Sequence, residues 1–183
     1  YGVRSHAVVP TALRFQSGDT TVANDHLEPR NKAIAVGEVV PDFTLQTQDR
    51  KEWSLAEAVK KGDTVLSFFP FAFTGTCGIE MKCITKEMAD WSKQGATVVG
   101  ISCDSAFVLA AWAEKEGFSH TLLSDQHRAV TKALGLYWAD MNTTNRATVV
   151  VSESADGKGK VKWVQTRQPG SAMKWEEVLA VIS

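Results

Sequence analysis

Two predominantly apolar segments, at residues 64–69 and 96–102, constrain this fold more than any other feature of the chain. Runs of this kind are typical of strands that are buried on both faces of a sheet. The chain between them carries a helical pattern that extends to about Gln94 and ends at Gly95, a residue that suits a helix terminus. The sequence therefore predicts a strand–helix–strand unit, with a helix packed over a buried sheet.

Further elements follow the same alternation of strands and helices. Ser54-Leu-Ala-Glu57 is a capping box that begins a short helix. A helix is expected over residues 105–116, with Gly117 as its end, and a final amphipathic helix over residues 172–182. Segments 147–151 and 161–166 are joined by Ser154-Ala-Asp-Gly-Lys, which is too short for a parallel crossover. We therefore expect an α/β fold with a mixed central β-sheet flanked by helices.

The domain organisation follows from length and periodicity. A chain of 183 residues is long enough for one ordinary domain and short for two. Residues 1–35 lack clear periodicity and are interpreted as an N-terminal arm or leader, which we expect to be poorly ordered. Residues 36–183 are predicted to form the single folded domain.

Charge and hydropathy exclude some classes of partner. A formal net charge of −1 gives no electrostatic reason to expect nucleic acid or an anionic membrane as a partner. No apolar run approaches the roughly 20 residues of a membrane-spanning helix. We expect a cytoplasmic protein. Import into an organelle through residues 1–35 stays open, since Arg4 and Arg14 fit a transit peptide whereas Asp19 and Asp25 argue against one.

The three cysteines, Cys77, Cys83 and Cys103, argue for a reducing compartment rather than a disulfide framework. They contain no Cys-x-x-Cys pair, and no histidine lies at zinc-binding spacing. Cys103 ends a predicted buried strand and is interpreted as a core residue. Neither a metal nor another cofactor is predicted.

Cys77 has the most informative surroundings. It follows the buried strand 64–69 and the segment Pro70-Phe-Ala-Phe-Thr74, and it falls in the first turn of the next helix. Unpaired backbone N–H groups and the positive end of the helix dipole collect there. Such a position favours the thiolate, which is the nucleophilic form of cysteine.

The helical wheel places the neighbours of Cys77. At about 100° per residue, an apolar stripe runs along the same side of the helix as Cys77. The stripe consists of Met81, Ile84, Met88 and Trp91. Cys77 is therefore expected to be half sheltered at the edge of the core, with Glu80 beside the stripe. Cys83 lies about 120° away, on the solvent face or in an interface.

These motifs, taken together, resemble the peroxiredoxin family. Pro70-x-x-x-Thr74-x-x-Cys77 is similar to its active-site signature. Gly100-Ile-Ser-Cys-Asp-Ser105 and Leu122-Leu-Ser-Asp125 resemble two further landmarks, and Arg146 before the strand 147–151 resembles its active-site arginine. The resemblance covers residues 36–183 and is strongest to the one-cysteine alkyl hydroperoxide reductase E group. It implies a thioredoxin-like fold.

The resemblance also implies a role for each matching residue. Cys77 would be the peroxidatic nucleophile, and Thr74 would offer its hydroxyl to the sulfur and to the peroxide oxygen. Pro70 would shield the thiolate from water. Arg146 would stabilise the thiolate and orient the peroxide, with Glu80 positioning that arginine. The implied partners are a peroxide substrate, an external thiol reductant of thioredoxin, glutaredoxin or low-molecular-weight type, and a second copy in a homodimer.

The residue that regenerates Cys77 is less obvious from the sequence. Cys83 is six residues on, a rise of about 9 Å in an intact helix, whereas a disulfide allows about 7 Å between Cα atoms. A Cys77–Cys83 disulfide would require the helix to unwind. An external thiol is the simpler expectation, and a self-resolving enzyme is the alternative.

Two other hypotheses compete with a peroxidase. A thioredoxin-like disulfide reductase would need a Cys-x-x-Cys, and Cys77-Gly-Ile-Glu80 lacks the second sulfur. A redox sensor or holdase-like binding module could use the same fold without turnover. The combination of Pro70, Thr74, Cys77 and Arg146 favours the enzyme.

Overall fold

The computed structural model describes residues 24–182 of the chain. Within them the strands are β1 (Thr44–Thr47), β2 (Glu52–Ser54), β3 (Thr64–Phe68), β4 (Thr97–Ser102), β5 (Thr121–Ser124), β6 (Tyr137–Trp138), β7 (Thr143–Thr144), β8 (Arg146–Glu153) and β9 (Gly159–Arg167). The α-helices are α1 (Leu55–Val59), α2 (Gly75–Lys86), α3 (Met88–Lys93), α4 (Ala106–Glu116), α5 (Ala129–Ala133) and α6 (Trp175–Leu179). A short 3-10 helix spans Ala139–Met141.

Seven strands form one mixed sheet in the order β2-β1-β5-β4-β3-β8-β9. The pairs β3–β4 and β4–β5 are parallel, and the other pairs are antiparallel. Strands β6 and β7 form a separate two-stranded ribbon. The predicted mixed sheet is confirmed. Strands β3 and β4 lie near its centre, where both faces are buried, as their apolar sequences require.

Side-chain caps explain where several helices begin. The Ser54 hydroxyl accepts a hydrogen bond from the Glu57 N–H at the start of α1, and Ser105 accepts one from Val108 at the start of α4. Asp125 accepts from the backbone of Thr131 at 2.7 Å and thereby holds the start of α5. Gly117 ends α4 with a φ of +70°, a conformation that glycine adopts without strain.

The hydrophobic core lies on both faces of the sheet. On one face, Leu66, Phe68 and Ile101 pack with α1 and α5. On the other face, Val65 and Phe69 pack with residues of α2, α3, α4 and α6. Alternate residues of each central strand therefore enter different cores, and α2 is held on the second face.

Residues 24–40 pack on the first face of the sheet. Ile34 is 2% exposed within that core, and its N–H bonds to the Leu134 carbonyl at 2.9 Å. The backbone of Val40 donates to Gly159. Of the predicted arm of residues 1–35, residues 1–23 lie outside the described part of the chain. Its boundary at residue 35 stays a prediction, while the part from Asn24 onward contacts the domain.

Two helices differ from the sequence-based expectation. The helix that was expected to continue to Gln94 is interrupted at Glu87, where φ is −91° and ψ is 8°. Beyond the interruption, Trp91 packs edge-on against Trp175 with 5.5 Å between ring centroids, whereas Met88 is only partly buried. The final helix is the short α6 instead of a longer amphipathic helix.

Residues 24–182 contain neither a membrane-spanning helix nor a cluster of metal ligands. No helix there is long and apolar enough to cross a bilayer. No group of three or more His, Cys, Asp or Glu side chains in the same range could hold a metal ion.

Candidate active site

Cys77 is the third residue of α2, so the sequence placed it correctly in the first turn. Thr74 is the N-cap, with extended backbone dihedrals, and its carbonyl accepts from the Gly78 N–H at 2.9 Å. Cys77 is 2% exposed and packs in the same core cluster as Phe69 and Met81. The expected half-sheltered position is therefore wrong: Cys77 packs fully into the core, although Gly75 and Thr76 before it are exposed and partly exposed.

Arg146 points its guanidinium at the cysteine. Its Nη2 donates to Cys77 Sγ at 3.0 Å, and its Nε donates to the Pro169 carbonyl at 2.9 Å. The arginine is 2% exposed. It begins β8, which pairs with β3, and β3 leads to the segment before α2. This pairing brings the two residues together although 69 positions separate them along the chain.

Glu80 fixes the arginine from the other side. Its Oε2 accepts from Arg146 Nη1, and its Oε1 accepts from Arg167 Nη2 at 2.6 Å and from the Met173 N–H at 3.1 Å. The side chain is completely buried. One turn of helix separates Glu80 from Cys77, so both face the same guanidinium.

Arg167 is a site residue that the sequence reasoning missed. It lies at the end of β9, directly opposite Arg146 in the antiparallel register. Its side chain is 7% exposed and also donates to Thr148 Oγ1 at 3.2 Å. Burial lowers the pKa of Arg167 from its ordinary value, and the opposing effect of Glu80 is smaller. The available signal was a basic residue at the end of a strand predicted to pair with the one that begins at Arg146.

The cluster combines two cations with one buried carboxylate. The guanidinium groups of Arg146 and Arg167 share the carboxylate of Glu80, and Glu177 also acts on Arg167. A buried charge is unfavourable unless it is paired. Arg146 places a charged hydrogen-bond donor at the sulfur of Cys77, and such donors form their strongest hydrogen bonds with anionic acceptors.

The segment of residues 70–74 lies between β3 and α2 along the chain. Pro70 is buried, and its carbonyl accepts from Thr143 Oγ1 at 2.6 Å. The Thr74 hydroxyl is exposed and donates to the Phe71 carbonyl at 2.9 Å. Its bond to the sulfur or to a peroxide stays a prediction. Thr74 adjoins the first turn of α2 as its N-cap, and the shielding of the sulfur by Pro70 stays a prediction.

The other two cysteines differ in burial. Cys83 is partly exposed and packs against the core, so the predicted solvent face is only partly right, and the predicted interface stays a prediction. Cys103 is 9% exposed, and its sulfur lies 3.9 Å from Thr131 Oγ1. Burial raises the pKa of Cys103. All three cysteines are free thiols.

A groove of about 210 Å³ opens beside the start of α2. Phe73, Ile79 and Trp112 form its apolar lining, and Lys82 and Lys115 lie at its edge. Phe73 is 50% exposed and Ile79 is 59% exposed. Large apolar side chains therefore lie on the protein surface next to the candidate active site.

Comparison with known proteins places these features in a family. A model of the AhpC/TSA family matches residues 36–164. Alkyl hydroperoxide reductase E of Mycobacterium tuberculosis is 31% identical over 155 residues, which cover 82% of this chain and 99% of that protein. Peroxiredoxin Bcp of Escherichia coli is 32% identical over 135 residues, which cover 72% of this chain and 85% of the relative.

Solved structures agree with the sequence relatives. The structure of peroxidoxin BcpB from Mycobacterium tuberculosis superposes with a TM-score of 0.73 at 26% identity, and the match covers 81% of this chain and 96% of that one. A reduced 2-Cys peroxiredoxin of Plasmodium vivax superposes with a TM-score of 0.72 at 24% identity, covering 81% and 80% of the two chains. The second likeness concerns the fold alone.

Proposed function

The chain belongs to the AhpC/TSA family of thiol-dependent peroxidases, and from this premise we propose that Cys77 reduces hydrogen peroxide and organic hydroperoxides, with peroxynitrite as a further candidate substrate. As a peroxiredoxin, the protein is an antioxidant oxidoreductase with a thioredoxin-like fold. The observation that carries the proposal is the 3.0 Å hydrogen bond from Arg146 Nη2 to Cys77 Sγ at the N-terminus of α2.

The oxidative step is a displacement at oxygen. The Cys77 thiolate attacks the terminal oxygen of the peroxide, and an S–O bond forms as the O–O bond breaks. The sulfur becomes a sulfenic acid and is oxidised by two electrons. The departing alkoxide or hydroxide carries the electron pair of the broken bond and takes a proton from water.

The surrounding residues would stabilise the charge that moves from sulfur to oxygen. Arg146 would orient the peroxide and stabilise the thiolate, with Glu80 holding the arginine in place. Thr74 would direct its hydroxyl at the peroxide, and Pro70 would keep water away from the sulfur. Backbone N–H groups of residues 74–77 would polarise the O–O bond as negative charge develops on the leaving oxygen.

The reductive step would use an external thiol. That thiol attacks the sulfenic sulfur, a mixed disulfide forms, and water leaves. A second thiol then releases Cys77 in its reduced form. Thioredoxin, glutaredoxin and low-molecular-weight thiols are the candidate reductants. Cys83 is the alternative resolving residue, but Cys77 and Cys83 are six residues apart in the continuous helix α2, and a disulfide between them requires that helix to open.

We also propose a homodimer, with residues 36–183 as the enzymatic domain. The exposed apolar side chains Phe73, Phe107 and Val108 support an interface on the side of α4 that faces solvent. Light scattering that finds a strict monomer would refute the dimer.

Substitution of the cysteines tests the proposed chemistry. Cys77→Ser should abolish the consumption of hydrogen peroxide in the presence of a thiol donor, whereas Cys83→Ser should retain it. Full activity in the Cys77→Ser protein would show that the nucleophile lies elsewhere. Mass spectrometry after one equivalent of peroxide should find a single added oxygen atom on Cys77, and a Cys77–Cys83 disulfide would instead identify a self-resolving enzyme.

A further inference from the structure

The segment of residues 70–74 contains a strained residue next to the N-cap of α2. Phe73 has a φ of +60°, in the left-handed region that bulky residues rarely occupy. Such a conformation costs roughly 1–3 kcal/mol and persists only where the surrounding structure imposes it. Thr74 follows immediately, so the backbone of Phe73 sets where the Thr74 hydroxyl points.

Asp104 holds this segment from the end of β4. Its Oδ2 accepts a hydrogen bond from the Ala72 N–H at 2.8 Å. The same oxygen accepts from Ser102 Oγ at 2.8 Å, and the Ser102 oxygen in turn accepts from the Asp104 N–H. Ser102 therefore holds the Asp104 carboxylate in place. The carboxylate binds the segment at Ala72, one residue before the strained Phe73.

Thr143 holds the segment at its other end. The Thr143 hydroxyl donates to the Pro70 carbonyl at 2.6 Å, and Thr143 is 1% exposed. Strand β7, which carries this threonine, pairs with β6 through the partners Trp138 and Thr143. The ribbon of β6 and β7 thus supplies a buried hydroxyl donor to the carbonyl of Pro70, which lies just beyond the end of β3.

We propose that Thr143 and Asp104 are positioning residues of the peroxidase reaction, which clamp residues 70–74 so that the Thr74 hydroxyl meets a peroxide at Cys77. The proposal rests on the proposed function. Neither residue hydrogen-bonds to Cys77, Arg146 or Glu80. The clamp and the charged cluster consequently differ in what they act on: the cluster acts on both the thiolate and the peroxide through Arg146, whereas the clamp acts on the peroxide alone through Thr74.

This division leads to a kinetic test with two probes. Hydrogen peroxide requires both the thiolate and the oriented Thr74, whereas iodoacetamide requires the thiolate alone. In Thr143→Val, the second-order rate constant of Cys77 with hydrogen peroxide should fall at least tenfold. The rate constant with iodoacetamide should stay within about twofold of the parent protein. Thr143→Ser keeps the hydroxyl and should restore most of the peroxide rate.

Thr144→Val is the matched control. Thr144 is the neighbour of Thr143 in β7 and is also buried, but its hydroxyl donates to the Asn145 carbonyl at 3.1 Å, outside the clamped segment. Its peroxide rate should match the parent protein. Asp104→Ala provides a second route to the same result if Thr143→Val does not fold, as judged by circular dichroism.

The outcomes separate the clamp from the underlying chemistry. An unchanged peroxide rate in both Thr143→Val and Asp104→Ala would overturn the clamp. Parallel losses with both probes would also overturn it, because they would indicate general distortion of the Cys77 site. A parent protein that does not react with hydrogen peroxide would instead overturn the proposed function.

Discussion

Replacing Glu80 with glutamine removes one negative charge from the buried cluster while nearly preserving the size of the side chain. The carboxylate accepts hydrogen bonds from Arg146, Arg167 and the Met173 N–H. A glutamine has one acceptor oxygen, and its NH₂ group would face one of the guanidinium donors. Two buried cations would then lack the carboxylate that balances them.

The expected loss of stability follows from this arrangement. Removing one partner of a buried ion pair destabilises proteins by about 3–5 kcal/mol, because the other charge stays buried without compensation. Glu80 is completely buried, and both arginines are nearly so. We therefore expect Glu80→Gln to lower the free energy of unfolding by about 3–5 kcal/mol, a large part of the roughly 5–15 kcal/mol that holds a typical domain folded.

Urea unfolding followed by far-ultraviolet circular dichroism measures this change. The exposed pair of Glu57 and Lys60 provides the control: Glu57→Gln should leave the free energy of unfolding nearly unchanged, because solvent screens exposed pairs. The double variant Glu80→Gln with Arg167→Met should lose less than the sum of its two single variants, since removing one cation relieves part of the imbalance.

Two results would refute the reasoning. A Glu80→Gln protein as stable as the parent would mean that the carboxylate does not balance the guanidinium groups. Strict additivity in the double variant would mean that Glu80 and Arg167 are not energetically coupled.

Two further predictions concern residues around the core. Burial lowers the pKa of His120 to about 4 from 6.5, so between these values the unfolded chain binds a proton that the folded protein does not. Stability should fall by about 3 kcal/mol as the pH drops through this range, and His120→Gln should reduce that loss in urea unfolding at several pH values. A Cβ at Gly100 would lie 2.7 Å from Leu122 Cδ2 and 2.8 Å from Met81 Sδ. Gly100→Ala should therefore destabilise by about 1–3 kcal/mol, whereas Gly170→Ala, with open space around it, should not; equal midpoints of thermal unfolding would contradict this.

Most of the fold could be predicted from local patterns in the sequence. The apolar runs of β3 and β4 were recognisable because both faces of these strands are buried, which leaves little room for polar residues. The cap at Ser54 was visible because it acts within three residues of chain. The interruption at Glu87 was not visible, because no glycine or proline between Gly78 and Gly95 marks it in the sequence.

The site was only partly accessible to the same reasoning. The helix-terminus position of Cys77 follows from short spacing, and the family resemblance supplied Arg146. Arg167 was missed because its importance depends on the register between β8 and β9, which places it opposite Arg146. The full burial of Glu80 likewise depends on three partners that are 66 to 93 residues away along the chain.

The burial of Cys77 has a consequence for turnover. A small peroxide can approach a narrow opening, but a thiol carried by a protein cannot contact the sulfur of a residue that is 2% exposed while the first turn of α2 stays closed. The proposed cycle consequently needs a locally open form of that turn. Every interaction that makes the closed turn more stable, including the bond from Arg146, would speed the attack on peroxide and slow the regeneration of the thiol. Regeneration, rather than oxidation, would then set how fast the enzyme works when peroxide is abundant.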